Sequence, residues 1–271
     1  MHNSQSLPLN HLGATDIQVS ALGLGTVKFG RNQGVKYPSG FSLPSDKEIA
    51  DILAVAQQGG INLLDTAPAY GTSEERLGKI LSGSRQNWII CSKAGEEFID
   101  GISTYYFTPE KIHASVERSL KRLKTDYLDI VLIHSDGRDV EIIQQGALEA
   151  LDDLKKQGKI LATGMSTKTV EGGILAAKHS DCVMVTYNLQ DSREKSVIDY
   201  CFENNKGVLL KKIFASGHIQ SNQANQQVKS PQQQTMDFIF KQKGISSAIV
   251  GSINPRHILE NINAACNSLK S

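Results

Sequence analysis

The chain has 271 residues and a formal net charge of +1, with 29 Lys and Arg set against 28 Asp and Glu. The two signs are interspersed, so nothing calls for nucleic acid or a charged membrane as partner. No apolar run reaches the roughly 18 residues that a membrane helix needs, and the first residues lack the basic start and apolar core of a secretory signal.

Residues 8–20, broken at Leu12 and Gly13 with alternating apolar positions after, read as a small β-hairpin able to plug the bottom of a domain. Residues 21–26 follow as an apolar strand whose glycines allow close backbone approach, and then a long polar loop over 31–44. From Ser45 the chain alternates. A helix over 46–58 precedes a strand over 61–65, and Ser73 opens a helix over 73–81 with Glu74 and Glu75 in its first turn. A strand over 88–93 leads through a loop, 94–107, to a helix over 108–123 that Thr108 caps, with Pro109 at its first position. The strands over 127–134, 160–166, 182–187, 207–212 and 247–251 are followed by helices over 140–157, 169–179, 192–204, 232–243 and 254–268. The polar loop 216–231 separates the fourth of these pairs, and its Gln, Asn and Ser content reads as a flap.

Continuous apolar strands such as 128–133 indicate burial on both faces and a parallel sheet. Eight strand and helix units in this length fit an α/β fold, a (β/α)8 TIM barrel with an N-terminal β-hairpin, better than an open sheet. No GxGxxG follows an early strand, and no linker or composition shift divides residues 1–271, which read as a single domain. The cysteines, Cys91, Cys182, Cys201 and Cys266, form no CxxC pair and read as reduced core thiols of a cytoplasmic protein. Seven scattered histidines with no HxH or HExxH spacing give no metal site.

A barrel of this kind carries its site at the C-terminal strand ends. There stand Asp65, Lys93, His134, Ser166, Tyr187 with Asn188, Lys211 with Lys212, and Gly251 with Ser252. Asp65 and Lys93 could be a rim ion pair and His134 a core histidine, but three such residues closing successive apolar strands point to chemistry. A phenol with a pKa near 10 is a poor acid or base at neutral pH, and an ammonium beside it is expected to lower that value. Asp65 would hold Lys93 charged and aimed at Tyr70, which could then exchange a proton with an oxygen that His134 orients. Proton delivery to a carbonyl oxygen is half of a carbonyl reduction, and the hydride half needs a cofactor.

On these residues the sequence resembles the aldo-keto reductases. The matching segments are Gly23 to Thr26, Asp65 to Gly71, Lys93, Asp126 to His134, Gly164 to Ser166, Tyr187 with Asn188, and Gly251 to Asn261. The resemblance implies that Tyr70 is the general acid, that Lys93 and Asp65 tune it, and that His134 orients a small-molecule carbonyl substrate. It also implies a nicotinamide cofactor, NADPH or alternatively NADH, across the barrel mouth. The residues it assigns to cofactor binding are Gly25, Thr26, Asp65, Ser166, Thr167, Tyr187, Lys211, Phe214, Ser216, Gly217, Gly251, Ser252, Asn254, His257, Glu260 and Asn261. Tyr187 would stack on the nicotinamide, Ser166 would hold its carboxamide, Ser216 and Gly217 would approach the pyrophosphate, and the last helix would grip the adenosine end. A monomer or weak oligomer is expected.

The chain departs from the family pattern at Thr167, where Asn is usual, at Met184, where Gln is usual, over the run from Lys211 to Ser216, where an aromatic-Ser-Pro-Leu run is usual, and at His257, where Arg is usual. Thr167, Met184 and the strand-seven lysines leave a non-catalytic, cofactor-sensing subunit as the alternative, and a barrel lyase or epimerase using Lys93 as a Schiff-base amine is a third reading. Trp88 is expected in the packing, whereas Tyr105, Tyr106, Phe107, Lys28 and Phe29 are candidates to wall the pocket.

Overall fold

A computed structural model describes residues 6–35, 40–215 and 229–270. The chain opens with an antiparallel hairpin, β1 (Leu9–His11) and β2 (Gln18–Ser20), as the alternation indicates. Three strands follow, β3 (Leu22–Gly25), β4 (Leu63–Asp65) and β5 (Ile89–Ala94). A second antiparallel hairpin, β6 (Glu96–Ile99) and β7 (Ile102–Tyr105), comes next. Then come β8 (Leu128–His134), β9 (Ile160–Ser166), β10 (Cys182–Thr186), β11 (Gly207–Lys211) and β12 (Ser247–Val250). Leaving out the two hairpins, these strands pair in parallel around a closed ring, β3–β4–β5–β8–β9–β10–β11–β12 and back to β3.

Helices α1 (Val27–Gly30), α2 (Asp46–Gln58), α3 (Ser73–Ile80), α4 (Pro109–Leu123), α5 (Asp139–Gln144) and α6 (Ala147–Lys156) lie between the strands of the first half. In the second half, α7 (Val170–His179), α8 (Lys195–Glu203), α9 (Pro231–Phe240) and α10 (Pro255–Ser268) complete the (β/α)8 barrel. Three local expectations are corrected. The segment 94–107 is a hairpin rather than a loop. The helix expected over 140–157 is two helices, because Gly146 takes a φ of 86° between them. Thr108 precedes α4 but its side chain makes no cap hydrogen bond.

The period of two along each strand sorts the core. Leu63, Cys91, Ile130, Leu132, Ala162, Cys182, Met184, Leu209 and Ile249 fill the barrel interior. Their alternate neighbours, Leu64, Ile90, Val131, Ile133, Met165, Val183, Val185, Val208, Leu210 and Val250, face the helices. The first hairpin closes the bottom: Leu12, Ile17 and Val19 join the interior cluster. Polar stitches hold it there, with Ser20 N donating to Asn62 Oδ1 at 2.7 Å and Ser246 Oγ donating to the His11 carbonyl at 3.1 Å. Continuing the same parity upward turns Asp65, Lys93, His134, Ser166, Thr186 and Lys211 inward at the opposite end. The four cysteines are buried and free. Among the described residues no helix is long and apolar enough to cross a membrane.

Candidate active site

Asp65 ends β4, and a single 3-10 turn, Pro68–Tyr70, folds the next residues back over the strand end. Gly71, at a φ of 61°, closes the turn, and its neighbour in space is the Gly30 carbonyl. A Cβ at Gly30 would overlap the backbone of Tyr70, Thr72 and Ser73, so the end of α1 and this turn lock each other. Arg31 adds a hydrogen bond from its guanidinium to the Ala69 carbonyl at 3.0 Å and stacks on Phe98 of β6, 3.5 Å from the ring centroid. These backbone contacts aim the Tyr70 phenol into the barrel mouth.

There the hydroxyl of Tyr70 donates to Asp65 Oδ2 at 3.3 Å. The Lys93 ammonium donates to Asp65 Oδ1 and to the Thr66 carbonyl, the latter at 2.9 Å. It lies 4.7 Å from the centroid of the Tyr70 ring. Lys93 is 1% exposed. Burial opposes its charge, but the Asp65 carboxylate outweighs burial and raises its pKa above the usual lysine value. An amine held protonated in this way is a poor nucleophile, which argues against Lys93 as a Schiff-base former.

The phenol does not follow the expectation that Lys93 would lower its pKa. Burial and the Asp65 carboxylate raise it, and Lys93 opposes them without prevailing. The physical reason is that the ammonium is already neutralised by Asp65, while the carboxylate repels a phenolate. Tyr70 therefore keeps its proton at neutral pH and is a donor.

His134 ends β8 with its ring edge-on to Tyr70, centroids 6.4 Å apart at 85°. Burial lowers its pKa, with Lys93 and Lys211 pushing the same way and Glu96 opposing. Its Nδ1 lies 2.9 Å from Glu96 Oε2. Glu96 also faces Tyr105, its partner across the hairpin, and Arg31 at 3.9 Å. Burial works against the Glu96 charge, but His134, Ser103 and Arg31 outweigh it and bring the carboxyl to about 2 from 4.5. A carboxyl depressed on folding stabilises the fold above its unfolded pKa and loses that contribution as pH falls toward the folded one. At about 1.4 kcal/mol per unit, this is at most ~3 kcal/mol. Denaturant melts of wild type and Glu96→Gln from neutral pH down to about pH 3 check this. The stability difference between them is expected to shrink below about pH 4.5. A difference independent of pH would contradict it.

The remaining sequence candidates are distributed as follows. Gly25 ends β3 beside β12. Thr26 is buried and already engaged: its N and Oγ1 both donate to the Asp65 carbonyl at 2.9 Å, and Ser73 Oγ donates to Oγ1 at 2.8 Å. Ser166 accepts from Lys211 Nζ at 2.9 Å, and the Thr167 carbonyl accepts from the same ammonium at 2.6 Å. Gly251 and Ser252 follow β12, and the Asn254 side chain caps α10 by accepting from Arg256 N at 3.0 Å. His257 and Glu260 are exposed, while Asn261 on the same helical face is buried. Ser216 and Gly217 lie outside the described residues.

Two candidates are not brought to the mouth. Tyr187 has the outward parity of Val185, belongs to the outer core, and stacks on Phe238 of α9 with centroids 4.9 Å apart. Phe214 also packs on the outer core. Among the wall candidates, Phe29 and Phe107 are core residues like Trp88, Tyr106 is exposed, and Lys28 lies 5.1 Å from the centroid of the Phe41 ring.

Sequence reasoning missed Glu96, Arg31 and Glu194. Glu194 reaches in from just before α8 to accept from Thr186 N at 2.8 Å and Thr167 Oγ1 at 3.4 Å. Glu96 had a readable signal. Asp100 and Gly101 both take positive φ, 52° and 82°, and an Asp-Gly pair between apolar positions marks a two-residue hairpin.

Comparison with known proteins agrees with the barrel fold. The model of the Aldo/keto reductase family matches residues 21–237. A solved structure described as a putative aldo-keto reductase from Pseudomonas aeruginosa superposes with a TM-score of 0.88 at 45% identity, covering 99% of each chain. The uncharacterized oxidoreductase YqkF of Bacillus subtilis is 27% identical over 94% of this chain and 90% of its own length. The aldo-keto reductase YhdN of the same organism is 32% identical over 72% of this chain and 59% of its own length.

Proposed function

The chain belongs to the aldo/keto reductase family of oxidoreductases, which use nicotinamide cofactors, and from that premise we propose that it reduces small aldehydes or ketones to alcohols with Tyr70 as general acid. The observation that carries this reading is the convergence of Tyr70, Asp65, Lys93 and His134 on one inward-facing patch of the barrel rim. A protonated phenol there can donate to a carbonyl oxygen as that oxygen gains negative charge. Lys93 then faces the phenolate left behind and stabilises it, and Asp65 keeps Lys93 charged and in place. His134 stands edge-on beside the phenol and orients the same oxygen.

A nicotinamide dinucleotide, when bound, supplies the hydride. The donor set suits such a group. Ser166 and Lys211 offer polar contacts at the mouth, and Gly25 and Gly251 leave adjacent strand ends without side chains. The N-terminus of α10 favours an anion. NADPH is the preferred form, because Arg256 and His257 are both exposed at that helix start and suit a further phosphate.

The test is titration with NADPH and with NADH, followed by a panel of aldehydes and ketones monitored by cofactor absorbance. Tighter binding of NADPH and turnover of some members of the panel are expected. Tight cofactor binding with no turnover on any carbonyl would overturn the reductase reading in favour of a cofactor-sensing subunit.

A further inference from the structure

Lys211 is the last residue of β11 and shares the inward parity of Leu209. Its side chain reaches past β10 to β9, where Nζ donates to Ser166 Oγ at 2.9 Å and to the Thr167 carbonyl at 2.6 Å. The rung beneath that reach is Met184, the register partner of Ser166. A polar group from the neighbouring strand thus stands above an apolar residue. Ser166 is also the register partner of His134, so the ammonium shares the mouth with the Tyr70 and His134 patch.

This cation differs from Lys93. Lys93 has Asp65 in contact, whereas among the described residues no carboxylate oxygen lies within 4.0 Å of Lys211 Nζ. The charged groups around it are Glu194 on the turn before α8, Asp139 on α5, Lys168 after β9, Lys212, and His134 on β8. Glu194 is engaged by Thr186 N and Thr167 Oγ1. Asp139 accepts from Lys168 N, Thr169 N, Thr169 Oγ1 and Ser135 Oγ. Burial pulls the lysine down to about 8, which still leaves it largely charged at neutral pH. A half-buried cation held only by neutral oxygens repels a second cation brought to the same mouth.

We infer that Lys211 is a charge discriminator, making the site hold a neutral, reduced nicotinamide more tightly than the cationic, oxidised ring. The inference rests on the nicotinamide reading above. The hydride donor must lie beside the carbon whose oxygen Tyr70 protonates, so its ring enters the mouth that Lys211 faces. Only an interaction that differs between the two redox forms can separate them, and the ring charge is that difference. Lys211 thereby favours uptake of the reduced form and release of the oxidised one.

The experiment measures dissociation constants for NADPH and NADP+ by calorimetry at neutral pH, in wild type, Lys211→Met and Lys211→Arg. Taking the ratio cancels the contribution of the unchanged adenosine end. Wild type is expected to prefer the reduced form, and Lys211→Met to lower that preference about tenfold by tightening NADP+. In a two-electron couple this corresponds to about 30 mV in the potential of the bound pair. Lys211→Arg is expected to keep the preference, and Lys211→Gln replaces the Met variant if that one folds poorly. An unchanged ratio in the neutral variant, or an equal weakening of both forms, would overturn the discriminator. Failure of wild type to bind either form would instead overturn the nicotinamide reading itself, and the inference with it.

Discussion

Tyr70→Phe is expected to slow carbonyl turnover by about 10²–10⁴-fold, the range a positioned general acid contributes, while fold and cofactor affinity stay close to wild type. Only the phenolic oxygen is removed. The ring still lies over Lys93 and edge-on to His134, and Asp65 still has Lys93 as its partner. No buried charge is stranded, so the stability change is about 1 kcal/mol or less. The loss belongs in kcat rather than in the KM for cofactor, because the phenol acts on the developing oxyanion. Steady-state and single-turnover assays on one responsive carbonyl measure it. Undiminished turnover would remove Tyr70 from the mechanism.

Lys93→Met has the largest expected effect on stability. It leaves the buried Asp65 carboxylate facing the mouth with only the Tyr70 hydroxyl at 3.3 Å, and it takes the donor from the Thr66 carbonyl. Breaking one side of a buried pair destabilises by about 3–5 kcal/mol, and each kcal/mol lowers Tm by roughly 2–4 °C in a large domain. The double variant Lys93→Met with Asp65→Asn removes both charges and is expected to regain much of that loss. Its turnover stays low, because nothing then stabilises the phenolate of Tyr70. Thermal melts of the two single variants and the double variant decide this. A double variant no more stable than Lys93→Met would show that the two charges do not depend on each other.

The barrel was legible because its strands are apolar on both faces and end on polar residues. The inward alternation that fills the interior with Leu63, Cys91, Ile130 and Leu209 is the same alternation that presents Asp65, Lys93, His134 and Lys211 at the rim. Position along a strand thus points to much of the candidate site. The alternation also places Tyr187 on the outside, where the family resemblance alone had put it against the cofactor. The hairpin that carries Glu96 stands where a loop is expected, although the Asp100 and Gly101 pair that turns it is a sequence signal. Two features needed coordinates. Glu194 enters from a turn before a helix, where no strand period points to it. The direction of the Tyr70 shift depends on whether Lys93 gives its charge to the phenol or to the carboxylate, a three-body balance that spacing does not encode.

The ionisation of Tyr70 tests the account most directly. The difference in near-ultraviolet phenolate absorbance between wild type and Tyr70→Phe, followed upward from neutral pH, isolates this one hydroxyl among the seven tyrosines. The account expects no phenolate from Tyr70 below about pH 10, the ordinary value for the side chain, since carboxylate and burial both hold its proton in place. A phenolate appearing near neutrality would mean that Lys93 controls the phenol after all, and the proton-donor role built on Asp65, Lys93 and Tyr70 would fail.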